Sequence, residues 1–369
     1  MGSAGLAEIA GRLLIQCRPR EALVAAEIAR PWGAGLVLTG GDLERTVRAL
    51  RDRGFTGPLL CDADRYSGSR GVGAGRGTHP AWLGRQAALG LLPLTDSGYV
   101  GLYDIRGLRT ILRAAAHSRS PVVAVLPLAA RWFATNAACG ALIREINAQG
   151  VPVAITIEHR DDPFGIQYLV RRFLRLLAAV TVPVILLRSD IAAVGALCHG
   201  AHASAVGTTS ALRHTYPHLR RGGAPRPGVS AFVTPLLAYH RLETLGRVFA
   251  KTPDLAQLWP CDCPVCDGRT PAGLGSAGDV SRHSVHELLA VHADLRRART
   301  RAAMISAWHE HCSHALGVHE QIAEEVRGWR APAGVRGWVK VTDDPLAVRD
   351  GIPAQEPRVS PAQVVAREP

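Results

Sequence analysis

An α/β barrel with a small C-terminal helical appendage is the fold this sequence predicts, on three observations. Short apolar runs alternate with stretches of helical periodicity through roughly the first two thirds of the chain, as in a parallel sheet buried on both faces. Carboxylates recur just after several of those runs. Past Val233 the alternation stops, and a tight cysteine cluster leads into a long helical region.

The candidate strands, in order, are residues 35–39, 58–61, 91–95, 122–126, 151–157, 182–187, 203–206 and 229–233. Between most of them lie helical patterns such as Leu108 to Ala116 and Ile166 to Leu177. Eight units in roughly 235 residues match a (β/α)8 TIM barrel, whose usual size is about 250 residues. An open doubly wound sheet is the alternative. The run from Leu174 to Leu187 contains Arg175 and Thr181 and is too short to span a bilayer, so it is a helix end followed by a buried strand. Ser69 to Gly77 is a loop rich in glycine and arginine without the Gly-Lys-Ser/Thr ending of a phosphate loop. Tyr239 to Phe249 has helical character, and a long helical region runs from about His283 to Arg327. These features divide the chain into a barrel (1–256), a metal-binding helical subdomain (257–330) and a proline-rich, partly ordered tail (331–369) carrying Pro332, Pro345, Pro353, Pro357 and Pro361.

Composition narrows the function. The 369 residues are 47% hydrophobic, enough for one large core, and the net charge is +12 with almost all of the cationic charge on arginine; Lys251 and Lys340 are the only lysines. Such an excess suits an acidic partner such as nucleic acid, although a solvated basic surface leaves the same trace. Arg296, Arg297, Arg299 and Arg301 are the first candidates for phosphate contact. Eight scattered and clustered cysteines in a chain of this length are not a disulfide framework, and no basic-then-apolar leader opens the sequence; both point to a reducing cytoplasm and no membrane.

Cys261-Asp-Cys263-Pro-Val-Cys266 is a knuckle of three thiols within six residues, stiffened by Pro264. A fourth ligand from a following helix completes a tetrahedral zinc site. His292, in the amphipathic stretch His286 to Arg297, is the predicted ligand; His283 and His286 compete at shorter spacing. Four protein ligands close a site, so the zinc is expected to be structural. His309, His311, Cys312 and His314 form a further group expected at a surface or a helix contact.

Functional residues in a barrel sit just past the C-terminal ends of strands. Those positions hold Asp62, Asp64, Asp96, Glu158, His159, Arg188 and Asp190. Asp62 and Asp190 taken singly are ordinary helix caps. Asp96 is different, because Thr95-Asp96-Ser97-Gly98 is a compact turn that presents a carboxylate beside backbone amides. Ser97, Gly98, Glu158 and Asp190 are therefore the candidate substrate-binding residues around Asp96, with Glu158 or Asp190 on the opposite wall of a pocket.

Leu94-Thr95-Asp96-Ser97-Gly98 resembles the Asp-Ser-Gly turn of the tRNA-guanine transglycosylases, as do the Cys261, Cys263, Cys266 and His292 pattern and the Ala205-Val206-Gly207-Thr208 turn. The resemblance spans roughly residues 30 to 305. It implies a (β/α)8 barrel with a zinc-bearing insert that exchanges guanine in tRNA or DNA for a 7-deazaguanine. It implies Asp96 as the catalytic carboxylate that contacts the base and shuttles its proton, with zinc on Cys261, Cys263, Cys266 and His292. The chain departs from the pattern where the family carries an aspartate nucleophile, since Val229 to Pro235 has no carboxylate. Leu126-Pro127-Leu128 stands where a second base-reading aspartate is usual, and Gly98-Tyr99-Val100-Gly101 replaces Gly-Gly-Phe-Gln. Some catalysts of the family work beside a non-catalytic partner, so the resemblance implies either a divergent base-exchange enzyme or a nucleic-acid-binding partner subunit, as a homo- or heterodimer.

Overall fold

The computed structural model describes residues 4–69, 71–166, 168–216 and 228–341. Arg70 of the glycine-rich loop and the tail prolines Pro345, Pro353, Pro357 and Pro361 lie outside them. After α1 (Ala4–Ile9), seven parallel strands form one curled sheet: β1 (Arg12–Cys17), β2 (Leu36–Thr39), β3 (Leu59–Asp62), β4 (Ala124–Ala129), β5 (Val153–Glu158), β6 (Val184–Ser189) and β7 (Ala203–Gly207). Their order is β3-β2-β1-β7-β6-β5-β4, so β7 sits at the centre with β1 beside it. Helices α2 (Ala22–Trp32), α3 (Leu43–Asp52), α4 (Pro80–Ala88), α5 (Ile105–Ala116), α6 (Asn136–Gln149), α7 (Leu169–Ala179) and α8 (Ala192–Cys198) lie in the crossovers.

Two of the eight predicted strands need correction, and two strands, β1 and a second at Ala238–Arg241, were not anticipated. Residues 91–95 form no strand; Leu94 makes a single parallel bridge to Val123 beside the free edge of β4. Pro93 explains the brevity, because a proline cannot donate to a ladder. Residues 229–233 do form β8 (Ser230–Val233), but it leaves the sheet and pairs antiparallel with β9 (Ala238–Arg241). The predicted helix at Tyr239 therefore begins later, as α9 (Leu242–Lys251). The unanticipated strand of the main sheet is β1, whose apolar run is broken by Gln16.

Side chains alternate across this sheet as the pleat requires. Leu13, Ile15 and Cys17 face the helical layer, and so do Leu36, Leu38, Val153 and Ile155. Leu14, Val37, Leu60, Ala154, Ile185, Ala203 and Ala205 pack together on the inner face, joined by Leu94, Val123 and Val125. Two residues further along, the inner column turns polar: Leu14 gives way to Gln16, Val37 to Thr39, Leu60 to Asp62 and Ala154 to Thr156, all buried. The C-terminal end of the sheet is thus a sequestered polar layer over an apolar floor.

Three helices complete the described residues: α10 (Ala277–Leu295), α11 (Arg301–Glu325) and α12 (Ala333–Val339). The long predicted helical region is two helices, and the first starts at Ala277. Helix α10 packs against α2, α8 and β1. Its Val285, Leu288, Leu289, Val291 and Leu295 join the main core, while Val280 joins a second core with Ala231, Val233, Leu245, Trp259, Val318 and Ile322. Helix α12 seats Trp338 against Gly195 of α8, where a Cβ would lie 2.7 Å from the indole. No helix of the described residues is long and apolar enough to cross a membrane.

Candidate functional site

The cysteine knuckle is closed by backbone hydrogen bonds from Cys266 and Asp267 to the Cys263 carbonyl and from Gly268 to that of Cys261. The turn takes Asp267 and Gly268 through positive φ, which glycine adopts without cost. Cys261, Cys263 and Cys266 then point at one helical residue, and it is His283. Its Nδ1 lies 3.5, 3.5 and 3.3 Å from the three sulfurs, and the four ligand atoms fall within 4.8 Å of one another. A tetrahedral zinc with ~2.3 Å sulfur and ~2.0 Å nitrogen bonds places sulfur and nitrogen about 3.5 Å apart, so the spacing fits. Nε2 of His283 lies 2.8 Å from the Phe232 carbonyl, which fixes the ring and leaves Nδ1 for a metal. Glu287 Oε1 lies 3.2 Å from Cys261 Sγ and its Oε2 accepts from Thr234 at 2.6 Å. Among the described residues this is the one such group that could hold a metal ion, and its donors suit zinc.

His292 is not in this cluster. It follows His283 by nine residues, about two and a half helical turns, and so faces the other side of α10. There it is buried and hydrogen-bonded to the Gly11 backbone; burial and then Arg296 hold its pKa down to about 4. His311 reaches Asp294 at 3.7 Å and Cys312 is buried in the core, in keeping with packing and surface roles.

At the C-terminal rim of the sheet, two polar clusters stand side by side. In the first, Asp62 accepts from Gln16 Nε2 at 3.1 Å, Tyr66 OH at 2.7 Å and Asp64 N at 2.9 Å. Arg188 lies 3.5 Å from Asp62, pairs with Asp64, and stacks 4.7 Å over the Tyr66 ring. A register shift in β6 and a positive φ turn Arg188 inward. Burial raises the Asp62 pKa against the field of Arg188, whereas for Asp64 burial is outweighed by Arg188, Ser67 and Arg18 and the pKa falls.

The second cluster surrounds Asp96, which is 4% exposed. Oδ1 accepts from His79 N at 2.8 Å; Oδ2 lies 2.5 Å from His79 Nδ1 and accepts from Arg65 at 3.1 Å. Ser97 is buried, its hydroxyl 2.7 Å from that of Thr95. Gly98 lies under the glycine-rich loop, where any Cβ would overlap the Gly73 backbone. The loop is held by Tyr99 N donating to Val72 O and Ala74 N to Tyr99 O, both at 2.8 Å. Its glycines thus serve close backbone approach.

Of the expected partners of Asp96, Glu158 accepts from Tyr99 OH at 3.1 Å, and Asp190 lines a separate cavity whose walls include neither Asp96 nor Glu158. His79 and Arg65 are the contacts that sequence reasoning missed. The available signal was a histidine between the glycine-rich loop and Pro80, the helix-starting proline of α4. The arginine run lies at the opposite end of the sheet: Arg299 and Arg301 border a cavity with Gly11, Val184 and Ala201, at the N-terminal ends of the strands. No protein-family model and no curated protein sequence matches this chain.

Proposed function

We propose that this chain acts on a purine-type base in nucleic acid, with Asp96 and His79 as a proton-transfer pair at the rim of the sheet. The observation that carries this reading is their 2.5 Å contact, in which a carboxylate 5% exposed orients an imidazole 61% exposed. A carboxylate that fixes one ring nitrogen leaves the other to take or give a proton, the arrangement general acid/base catalysis needs. The resemblance to tRNA-guanine transglycosylases supplies the reaction: exchange of guanine for a 7-deazaguanine in tRNA or DNA. In this reading the stretch around Leu94 is the fourth stave of a (β/α)8 TIM barrel, and α10, lying between α8 and α2, is the outer helix of its last unit. The metal is a structural zinc held by Cys261, Cys263, Cys266 and His283. The eight free cysteines fit a reducing cytoplasm.

A second reading, a non-catalytic nucleic-acid-binding partner in a dimer, is favoured by one observation. Both oxygens of Asp96 are occupied, Glu158 is tied to Tyr99, and Asp62 and Asp64 are tied to Arg188, so none of these carboxylates is free to attack a sugar. Incubation with labelled guanine and a tRNA or DNA pool decides between the two. The enzyme reading expects incorporation that falls about a hundredfold or more in both Asp96→Asn and His79→Gln. Binding without incorporation by the wild type supports the partner reading, and neither binding nor incorporation removes both.

A further inference from the structure

A second cavity opens at the same end of the sheet, and its walls match a ligand of definite chemistry. It encloses about 290 Å³ between the ends of β5, β6 and β7 on one side and β9, α11 and α12 on the other. Strand ends of this kind are where parallel sheets bind ligands. Asp162 and Asp190 face it together. Each spends one oxygen on a local amide: Asp162 Oδ1 accepts from Phe164 N at 2.9 Å and Asp190 Oδ1 from Ala192 N at 3.2 Å. Two carboxyls this close in apolar surroundings resist double ionisation. Burial and then the field of Asp190 push Asp162 up to about 8, and burial raises Asp190 too.

The remaining walls are largely aromatic: Phe164, Tyr239, Trp308 and Trp338. Trp308 and Trp338 are 0% and 2% exposed, yet neither indole N–H has a hydrogen-bond partner. His214, also in the wall, has one ring nitrogen bonded to the Arg160 backbone and Nε2 buried without a partner. Buried polar groups are nearly always paired, so these three orphans give an occupant of the cavity polar groups to complete. Arg213 is the one cation in the wall. It lies 3.6 Å over the Tyr239 ring and takes that face, while Trp338 stacks on Phe164 and His199 and meets Trp308 edge to face. Helix α12 closes the cavity directly on Asp162: a Cβ at Gly334 would overlap the Asp162 carboxylate.

We propose that this cavity binds a small planar nitrogen heterocycle with an amidine-like edge, an N–H beside an NH2, and an acceptor nitrogen or oxygen elsewhere on the ring. The carboxylates accept the paired N–H groups, the indoles donate to the ring acceptor, and the aromatic side chains supply an apolar surround for the ring. An aliphatic amine would leave the indoles unpaired, and an anion would confront two carboxyls. The inference does not require base exchange at Asp96, since Asp96 and His79 are not in these walls.

Calorimetric titration of the full chain with 2-aminobenzimidazole, which carries that edge, tests the proposal beside benzimidazole, which lacks the amine. Saturable binding of the first, about tenfold or more tighter than the second, is expected from charge-assisted hydrogen bonds. Asp190→Asn and Asp162→Asn should each weaken binding about tenfold while unfolding cooperatively. Trp338→Phe, which keeps a ring but loses the N–H, should weaken it several-fold. Asp96→Asn should bind the probe as the wild type does. No saturable binding, equal affinity for benzimidazole, undiminished binding in Asp190→Asn, or loss of binding in Asp96→Asn would each overturn the assignment.

Discussion

With a side chain only 2% exposed, Arg188 is neutralised solely by what it touches: Asp62, Asp64 and the face of Tyr66. Removing one partner of such a buried set leaves uncompensated charge, typically at a cost of about 3–5 kcal/mol. Arg188→Met should therefore lose stability of that order in urea unfolding, although it fills nearly the same space. A loss within about 0.5 kcal/mol, the range of an ordinary surface change, would show that the pairs are not formed. The metal cluster makes a second residue-level contrast. His283→Gln and Cys263→Ser should strip bound metal and lower the melting temperature, because structural metal binding is folding free energy. His292→Gln should keep a full complement of about one zinc per chain by elemental analysis, while losing some stability from its contact with Gly11. Metal lost in His292→Gln and kept in His283→Gln would restore the ligand set that the sequence spacing suggested.

Helices and loops set the next scale, where Gly98 and Gly73 meet backbone to backbone. Gly98→Ala forces the glycine-rich loop off the Asp96 turn, and overpacking of this kind costs about 1–3 kcal/mol. Thermal unfolding should register that loss, and protease cleavage within residues 71–77 should quicken; an unchanged cleavage pattern would mean that the loop is not held there. The arginines of the α10–α11 connection stand a strand length, roughly 20 Å, from the Asp96 rim. Changing Arg296, Arg297, Arg299 and Arg301 together to Ala should lower nucleic-acid affinity and flatten its salt dependence, by up to about four in the slope on a double-logarithmic plot. An unaltered slope would reduce the run to a solvated surface. Much at this scale was legible in the sequence: six of the seven sheet strands stood out as apolar runs, and the thiol knuckle announced itself by spacing. What escaped did so for physical reasons. Gln16 breaks the β1 run because the inner column turns polar at the rim. Residues 91–95 have strand composition, but Pro93 and a single bridge deny them a ladder. Spacing along the chain favoured His292 over His283 as the fourth ligand, and only the phase of α10 reverses that choice. Asp96 could be singled out by its turn, but its partners Arg65 and His79 are brought to it by a loop whose path sequence does not state.

For the molecule as a whole, buried titratable groups make stability depend on pH from two directions. His199, His214, His240 and His292 are all held down to about 4, in each case chiefly by burial. A histidine near 6.5 when unfolded and near 4 when folded contributes stability that is present above pH 6.5 and lost as pH falls through 4. Asp162 works in the opposite sense. Its folded value of about 8 lies above the ordinary 3.8, so its contribution is complete below pH 3.8 and is lost as pH rises through 8. Asp62 and Asp190, also raised by burial, act in the same sense as Asp162 and soften the acid limb. Stability should therefore peak near pH 6 to 7 and decline on both sides. The alkaline limb is the decisive one, because protons compete with metal for the thiols only on the acid side. Between pH 6.5 and 8, urea unfolding of the wild type should show a fall that Asp162→Asn reduces by on the order of 1 kcal/mol, the asparagine having no proton to lose. Parallel declines in the two proteins would mean that Asp162 ionises as freely in the folded chain as in the unfolded one, and that the Asp162–Asp190 pair is open to water.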